Sequence, residues 1–149
     1  MPEDDDYIEH YGDTIYEHAQ EYKKNIMNVF KDVKNFDAQL FMVKPDLKYR
    51  PIEEVKELAI TLLKEEFGEL MEAFHKEDPI LIAKELADLL YVTTQALNRL
   101  YDDPQEIWRR VNQSNLSKFG FDAEIREDGK LLKSASYEPP DLNFIKGKF

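Results

Sequence analysis

The apolar positions Ile15, Ala19, Tyr22, Ile26, Val29, Val33 and Phe36 recur at alternating steps of four and three. This spacing predicts a long amphipathic helix with a narrow seam, suited to core or subunit-interface packing rather than to holding a ligand. Lys44-Pro45 and Arg50-Pro51 then bracket a connector expected to be irregular, because a residue before proline avoids the helical region. Pro51 suits the first turn of a second helix, and Glu53 and Glu54 favour the positive end of its dipole. That helix should run to about His75. Asp78-Pro79 is a stop and restart, with Asp as N-cap and Pro at the first helical position, and opens a third helix to about Tyr101. Asp103-Pro104 repeats the punctuation and opens a fourth, through Trp108 and Val111 to near Gly120. The short connections predict that helices two, three and four are antiparallel neighbours.

After Phe121 the helical period stops. Asp128-Gly129 between Ile125 and Leu131-Leu132 signals a hairpin turn, and Glu138-Pro139-Pro140-Asp141 must be extended. The last residues, Phe144 to Phe149, are expected to lie over the bundle or a second subunit. The expected fold is therefore an all-α helical bundle, with an acidic lead at 1–13 and an irregular C-terminal arm at 121–149. Residues 1–149 should form a single domain.

Certain polar residues interrupt the apolar faces. At about 100° per residue, Glu66 falls in the middle of the arc made by Ala59, Leu62, Leu63, Leu70 and Ala73. Glu85 is placed likewise among Leu81, Ile82, Leu89, Val92 and Ala96, while Glu69 and Asp88 sit toward the edges of the same two arcs. An ionised carboxylate on a core-facing stripe needs compensating positive charge. No Lys or Arg lies within those arcs, so a metal ion is expected to supply it. With 31 Asp and Glu in 149 residues, acids three apart also arise by chance, as in Glu54 and Glu57. That pair projects onto the solvent face, however, whereas Glu66 and Glu85 project inward.

Composition narrows the partners. The formal net charge of −11 argues against nucleic acid, whose phosphate backbone needs a basic surface, and suits a protein that holds divalent cations. Without cysteine, disulfides and thiolate zinc sites are excluded. The start lacks the basic and apolar regions of a signal peptide and no apolar run is long enough to span a membrane, so a cytoplasmic location is expected. His10, His18 and His75 form no metal spacing with the acids and are expected on the surface.

Oxygen-only ligands suit Mg²⁺, with Mn²⁺ as a substitute, and such sites commonly serve phosphate-ester or anhydride chemistry. A di-iron bundle would show Glu-x-x-His on two helices, whereas here the third position after Glu66 and Glu85 is Glu69 and Asp88. On the fourth helix Asn112, Asn115 and Lys118 recur at three-residue steps, offering amides and one ammonium to a phosphate or a base. Taken alone, Lys118 near a helix C-terminus is also simply favourable.

Glu65-Glu66-x-x-Glu69, then Glu85-x-x-Asp88 within "ELADLLYV", then "SNLSK", "EDGKLLK" and "YEPPDL" resemble the all-α nucleoside triphosphate pyrophosphohydrolases. The likeness is to the MazG-like branch described as phosphoribosyl-ATP pyrophosphohydrolase-like, and runs from about Val29 to Leu142. It implies cleavage of a nucleoside triphosphate between the α and β phosphates, releasing a monophosphate and pyrophosphate. It further implies Mg²⁺ held by Glu66, Glu69, Glu85 and Asp88, Glu65 beside the metals helping to orient or deprotonate water, and Asn115 and Lys118 on the nucleotide. A homodimer or higher homo-oligomer is expected. The rival readings are a nucleotide-binding module without turnover and a structural helical oligomerisation module, the latter leaving the inward acids unexplained.

Overall fold

A computed structural model describes residues 28–149. The acidic lead, the seam positions Ile15 to Ile26, His10 and His18 lie outside the described residues. Helix α1 spans Val29–Val43, α2 Ile52–Lys76, α3 Pro79–Leu100 and α4 Pro104–Leu116. The bounds follow local chemistry. Asn28 caps α1 by accepting from the Lys31 N–H, and Asp78 caps α3 by accepting from those of Ile80 and Leu81. Asp103 caps α4 by accepting from the Glu106 N–H. Helix α2 ends where Glu77 turns left-handed at φ 53°, one residue before Asp78-Pro79.

Three local expectations need correction. The connector after α1 is not irregular: Pro45–Tyr49 forms a 3₁₀ helix, for which the fixed φ of Pro45 is well suited. Pro51 stands at the N-cap of α2 rather than inside its first turn. Helix α4 stops at Leu116, before Gly120, and the chain turns at Ser117 and Lys118.

Helices α2 and α3, joined by two residues, pack along one another as an antiparallel pair, and α1 lies against α3 and the 3₁₀ helix. Val33, Leu70 and Ala73 are the buried apolar residues among those described, ringed by half-buried Leu62, Leu63, Leu89 and Val92. Phe36, expected in the seam, is instead 47% exposed. The expected antiparallel packing of α4 on its neighbours is not realised as an extended helix–helix contact. Its attachment is to the arm: the Ser114 hydroxyl donates to the Glu138 carbonyl at 2.7 Å and Arg110 to that of Asp141 at 2.7 Å, with the guanidinium 4.2 Å from the centre of the Phe144 ring.

The arm turns as its sequence requires. Gly129 adopts φ 87° between Ile125 and Leu131, which form an antiparallel bridge. The end of the chain lies on the chain itself. Gly147 bridges to Tyr101, the Lys148 N–H donates to the Leu100 carbonyl, and the Phe149 ring meets Tyr101 edge-on while Lys56 of α2 lies over it. None of the described helices is long and apolar enough to cross a membrane.

Candidate metal centre

Helices α2 and α3 run antiparallel with their inward faces opposed, and this brings one carboxylate oxygen from each of Glu66, Glu85 and Asp88 within 4.8 Å of one another. Glu85 is buried, and Glu66 and Asp88 are half-buried. The Oε2 atom of Glu66 is sealed from solvent and has no hydrogen-bond partner. Burial pushes the Glu66 carboxyl above the ordinary range, the charges of Asp88, Glu69 and Glu85 push it further, and Lys84 partly opposes them. A buried acceptor without a donor beside two further acids is a donor set that a hard divalent cation satisfies, since such ions take carboxylate oxygens.

The expectation that no lysine or arginine compensates these acids is corrected by Lys84. Its Nζ lies 2.8 Å from Asp88 Oδ2 and 3.1 Å from Glu85 Oε2, and hydrogen bonds to Asp88 and then Glu85 raise its own pKa. Lys84 is exposed and its Cβ is outside the inward arc, but its flexible stem carries the ammonium back over the edge of the helix. Counting helical angles locates the Cβ and misses that reach.

The other anticipated site residues are placed as follows. Glu69 is exposed on α2; it contributes no atom to the three-carboxylate cluster, though its charge is felt by Glu66. Glu65 is also exposed, outside the cluster. Asn112 and Asn115 are exposed on α4, and Lys118 just beyond it donates to Asn115 Oδ1 at 2.8 Å and lies 5.9 Å from the Tyr137 ring centre. No described hydrogen bond or ion pair joins this strip to the carboxylates. His75 is exposed, as expected, its Nδ1 2.6 Å from the Met71 carbonyl oxygen.

Beside the acids, and not anticipated, is a cavity of about 710 Å³ between α1, the 3₁₀ helix, α2 and α3. Its lining includes Leu62 and Tyr91, each within about one helical turn of Glu66 or Asp88. In the same lining Asp37 is buried and accepts three hydrogen bonds: from Gln95 Nε2 at 2.7 Å, from Arg99 Nε at 2.8 Å and from Arg99 Nη2 at 2.7 Å. The pairing is bidentate, the geometry in which a guanidinium best compensates a buried carboxylate. The signal was present in the sequence, because Asp37 lies four residues after the seam position Val33 and so on its face of the helix.

Residues 35–115, just over half of the chain, match the family model described as phosphoribosyl-ATP pyrophosphohydrolase. The matched span holds Asp37, all four inward or edge acids, Gln95, Asn112 and Asn115, and stops before Lys118 and the arm. A search of curated proteins finds no match. With its all-α architecture and its acids on α2 and α3, the chain belongs to the phosphoribosyl-ATP pyrophosphohydrolase family, within the MazG-like all-α nucleoside triphosphate pyrophosphohydrolase superfamily.

Proposed function

We propose that this protein hydrolyses a nucleoside triphosphate, a deoxynucleotide or a non-standard one, between its α and β phosphates, yielding the monophosphate and pyrophosphate. The family supports pyrophosphohydrolase action on a nucleotide. The observation that carries the reading is the sealed, partnerless Glu66 Oε2 beside Glu85 and Asp88. These three residues would hold Mg²⁺, with Mn²⁺ as a substitute, and Glu69 would close the set from the next turn of α2. A bound Mg²⁺ neutralises the triphosphate, lowers the pKa of a coordinated water and stabilises charge on the departing pyrophosphate.

The chain's own groups would do the rest. Glu65 precedes the first ligand and would accept the proton of the attacking water. Asn112, Asn115 and Lys118 offer amide donors and an ammonium for the nucleotide, the role the family resemblance gives to the last two. Within one chain this strip is attached to the arm, and a second copy is the means by which it would reach a carboxylate cluster. The α2 surface supports such a copy: Ile60, Phe67, Met71 and Phe74 are all exposed and fall within about 60° of one another round the helix. A homodimer is therefore part of the proposal.

Lys84 favours a second reading, nucleotide binding without turnover, because its ammonium already compensates Glu85 and Asp88. One assay separates the two. A panel of ribo- and deoxynucleoside triphosphates is incubated with millimolar Mg²⁺, and pyrophosphate is detected through a coupled pyrophosphatase. Release of pyrophosphate that EDTA abolishes is expected. Nucleotide binding with no release under Mg²⁺ or Mn²⁺ would establish the second reading and end the first.

A further inference from the structure

From the ion pairs around the carboxylates we infer that Lys84 is a displaceable counter-ion of the metal centre. Its ammonium holds Glu85 and Asp88 in the metal-free protein and opposes the binding of a bare divalent cation. It transfers to the phosphates of a triphosphate when nucleotide and metal enter together. This deepens the pyrophosphohydrolase reading, and rests on the metal centre and the nucleotide of that reading but not on turnover.

An ammonium has three N–H donors, and here three carboxylate oxygens surround it. The Lys84 Nζ lies 3.1 Å from both Oε1 and Oε2 of Glu85 and 2.8 Å from Asp88 Oδ2. Whichever oxygen of Glu85 a cation takes is therefore one that Lys84 already contacts, so the competition is direct. Glu66 is left out, its sealed Oε2 without a partner. The arrangement differs from an ordinary pair along a helix. Asp88 stands four residues after Lys84, a spacing at which side chains meet, but Glu85 is the next residue, and immediate neighbours on a helix do not face each other. The ammonium reaches Glu85 only by being drawn back over the face that carries the acids.

Unequal burial makes the contact reversible. The Glu85 side chain is 8% exposed and that of Lys84 56%. Among the described residues Lys84 makes no other ion pair or side-chain hydrogen bond. Its stem is flexible and its three donors rotate freely among acceptors, so the ammonium can leave without disturbing the packing of α2 on α3. A bare cation that displaces it offers the ammonium only water. A carboxylate-held Mg²⁺ takes its remaining ligands from water and phosphates, so a triphosphate brings new anionic acceptors to the acids that the ammonium has left. Metal therefore binds more tightly with nucleotide than alone, and by linkage nucleotide binds more tightly with metal.

The test looks for two shifts of opposite sign. Lys84→Met keeps an apolar stem and removes the ammonium, with Lys84→Gln as the substitute where the first does not fold. Lys64→Met removes the same charge two residues from Glu66, at an exposed position in no described ion pair. Calorimetry on the full chain uses Mn²⁺ alone as one probe. The other, at saturating Mn²⁺, is whichever α,β-methylene analogue of dATP, dCTP, dGTP or dUTP the wild type binds most tightly, with the matching monophosphate as reference. Mn²⁺ alone should bind Lys84→Met about tenfold more tightly than the wild type, because no cation competes for its ligands. The analogue should bind that variant about tenfold less tightly, the scale of a lost charged hydrogen bond, and the monophosphate should bind unchanged. Lys64→Met should alter none of these. A surface ion pair with no part in binding moves neither affinity. Mn²⁺ binding unchanged or weakened, analogue binding unchanged or tightened, an equal loss for the monophosphate, or both shifts reproduced by Lys64→Met would each overturn the inference. EDTA-sensitive pyrophosphate release by the wild type beside unchanged affinities in Lys84→Met removes the inference alone. Both shifts without pyrophosphate release from any nucleotide remove turnover alone, and a wild type that binds neither Mn²⁺ nor any analogue removes both.

Discussion

Glu66 faces two demands that the protein's own groups do not jointly meet: one of its oxygens is sealed without a donor, and Asp88, Glu69 and Glu85 surround it with like charge. In the metal-free protein a proton relieves both. Its raised pKa then favours the folded state at low pH, and that contribution is lost as pH rises through the folded value. A divalent cation that binds only the folded state reverses the sense, adding about 2.7 kcal/mol at a hundred times its Kd. Glu66→Gln should therefore make the metal-free protein as stable or more so at neutral pH and shrink the Mg²⁺-induced rise in Tm. Turnover should fall by about a hundredfold or more, the scale expected when a group supporting developing charge is removed. Glu57→Gln, on the exposed side of α2, should leave all three unchanged. Scanning calorimetry with Mg²⁺ or EDTA, together with pyrophosphate release, checks both variants; normal hydrolysis by Glu66→Gln would falsify the ligand assignment. Glu66 and Glu85 could be found in the sequence because a helix fixes where each Cβ points. Lys84 could not, since its ammonium lies several rotatable bonds from the backbone and its position is set by the acids it meets.

Among the elements, α2, α3 and α4 were legible to within a few residues, whereas α1 was not: the seam predicts one helix through Ile15 to Phe36, but Asn28, non-helical and accepting from the Lys31 N–H, starts a helix inside it at Val29 that runs on to Val43. Asp78 and Asp103 each accept backbone N–H bonds ahead of a proline, and Gly129 takes the positive φ its turn demands. The partners of α4 were not legible, because short connections fix sequence neighbours without fixing which surfaces touch. The electrostatic tie of α4 centres on Glu106, which Arg109 and Arg110 pull down to about 2 by hydrogen bonding first and charge second. Arg110 in turn reaches the Asp141 carbonyl and the Phe144 ring. The sign is that of a depressed acid: its stabilisation is complete above the ordinary carboxylate value of 4.5 and is lost as pH falls toward about 2. The arm is therefore expected to loosen over that window. Hydrogen exchange should show backbone amides of residues 138–145 losing protection between pH 4.5 and 2 in the wild type. In Glu106→Gln, which has no charge to lose there, the same amides should be less protected at pH 5 and should change less on acidification. Equal acid sensitivity in the two proteins would show that Glu106 does not anchor the arm.

For the whole molecule, the described residues bury few side chains completely, while a row of large apolar ones on α2 stays in solvent. Ile60 is 52% exposed, Phe67 55%, Met71 41% and Phe74 48%, and the row lies about a quarter-turn round the helix from the face that carries Leu70 and Ala73. On a highly charged chain such a row suits a contact surface, because leaving four large apolar side chains in water forgoes roughly 1.5–3 kcal/mol for each that could be fully buried. The sequence shows the row only once the inward face of α2 is known. Until α3 is seen to cover Glu66, Leu70 and Ala73, the apolar residues round this helix cannot be divided between a core and an outer surface. A second copy of this chain is the proposed cover, and it would also bring another α4 strip to the carboxylates. Light scattering should accordingly give twice the chain mass of 17.6 kDa. The double substitution Phe67→Glu with Met71→Glu should give a folded monomer, since both positions are exposed in the single chain and like charges then oppose each other across the contact. Its circular dichroism should stay helical, while pyrophosphate release should fall with dissociation if the strip is supplied by the partner. A wild-type monomer at high concentration would dismiss the dimer. A dimer that persists in the double variant would move the contact elsewhere, and a fully active monomeric variant would place the nucleotide-binding strip and the carboxylates of one site within a single chain.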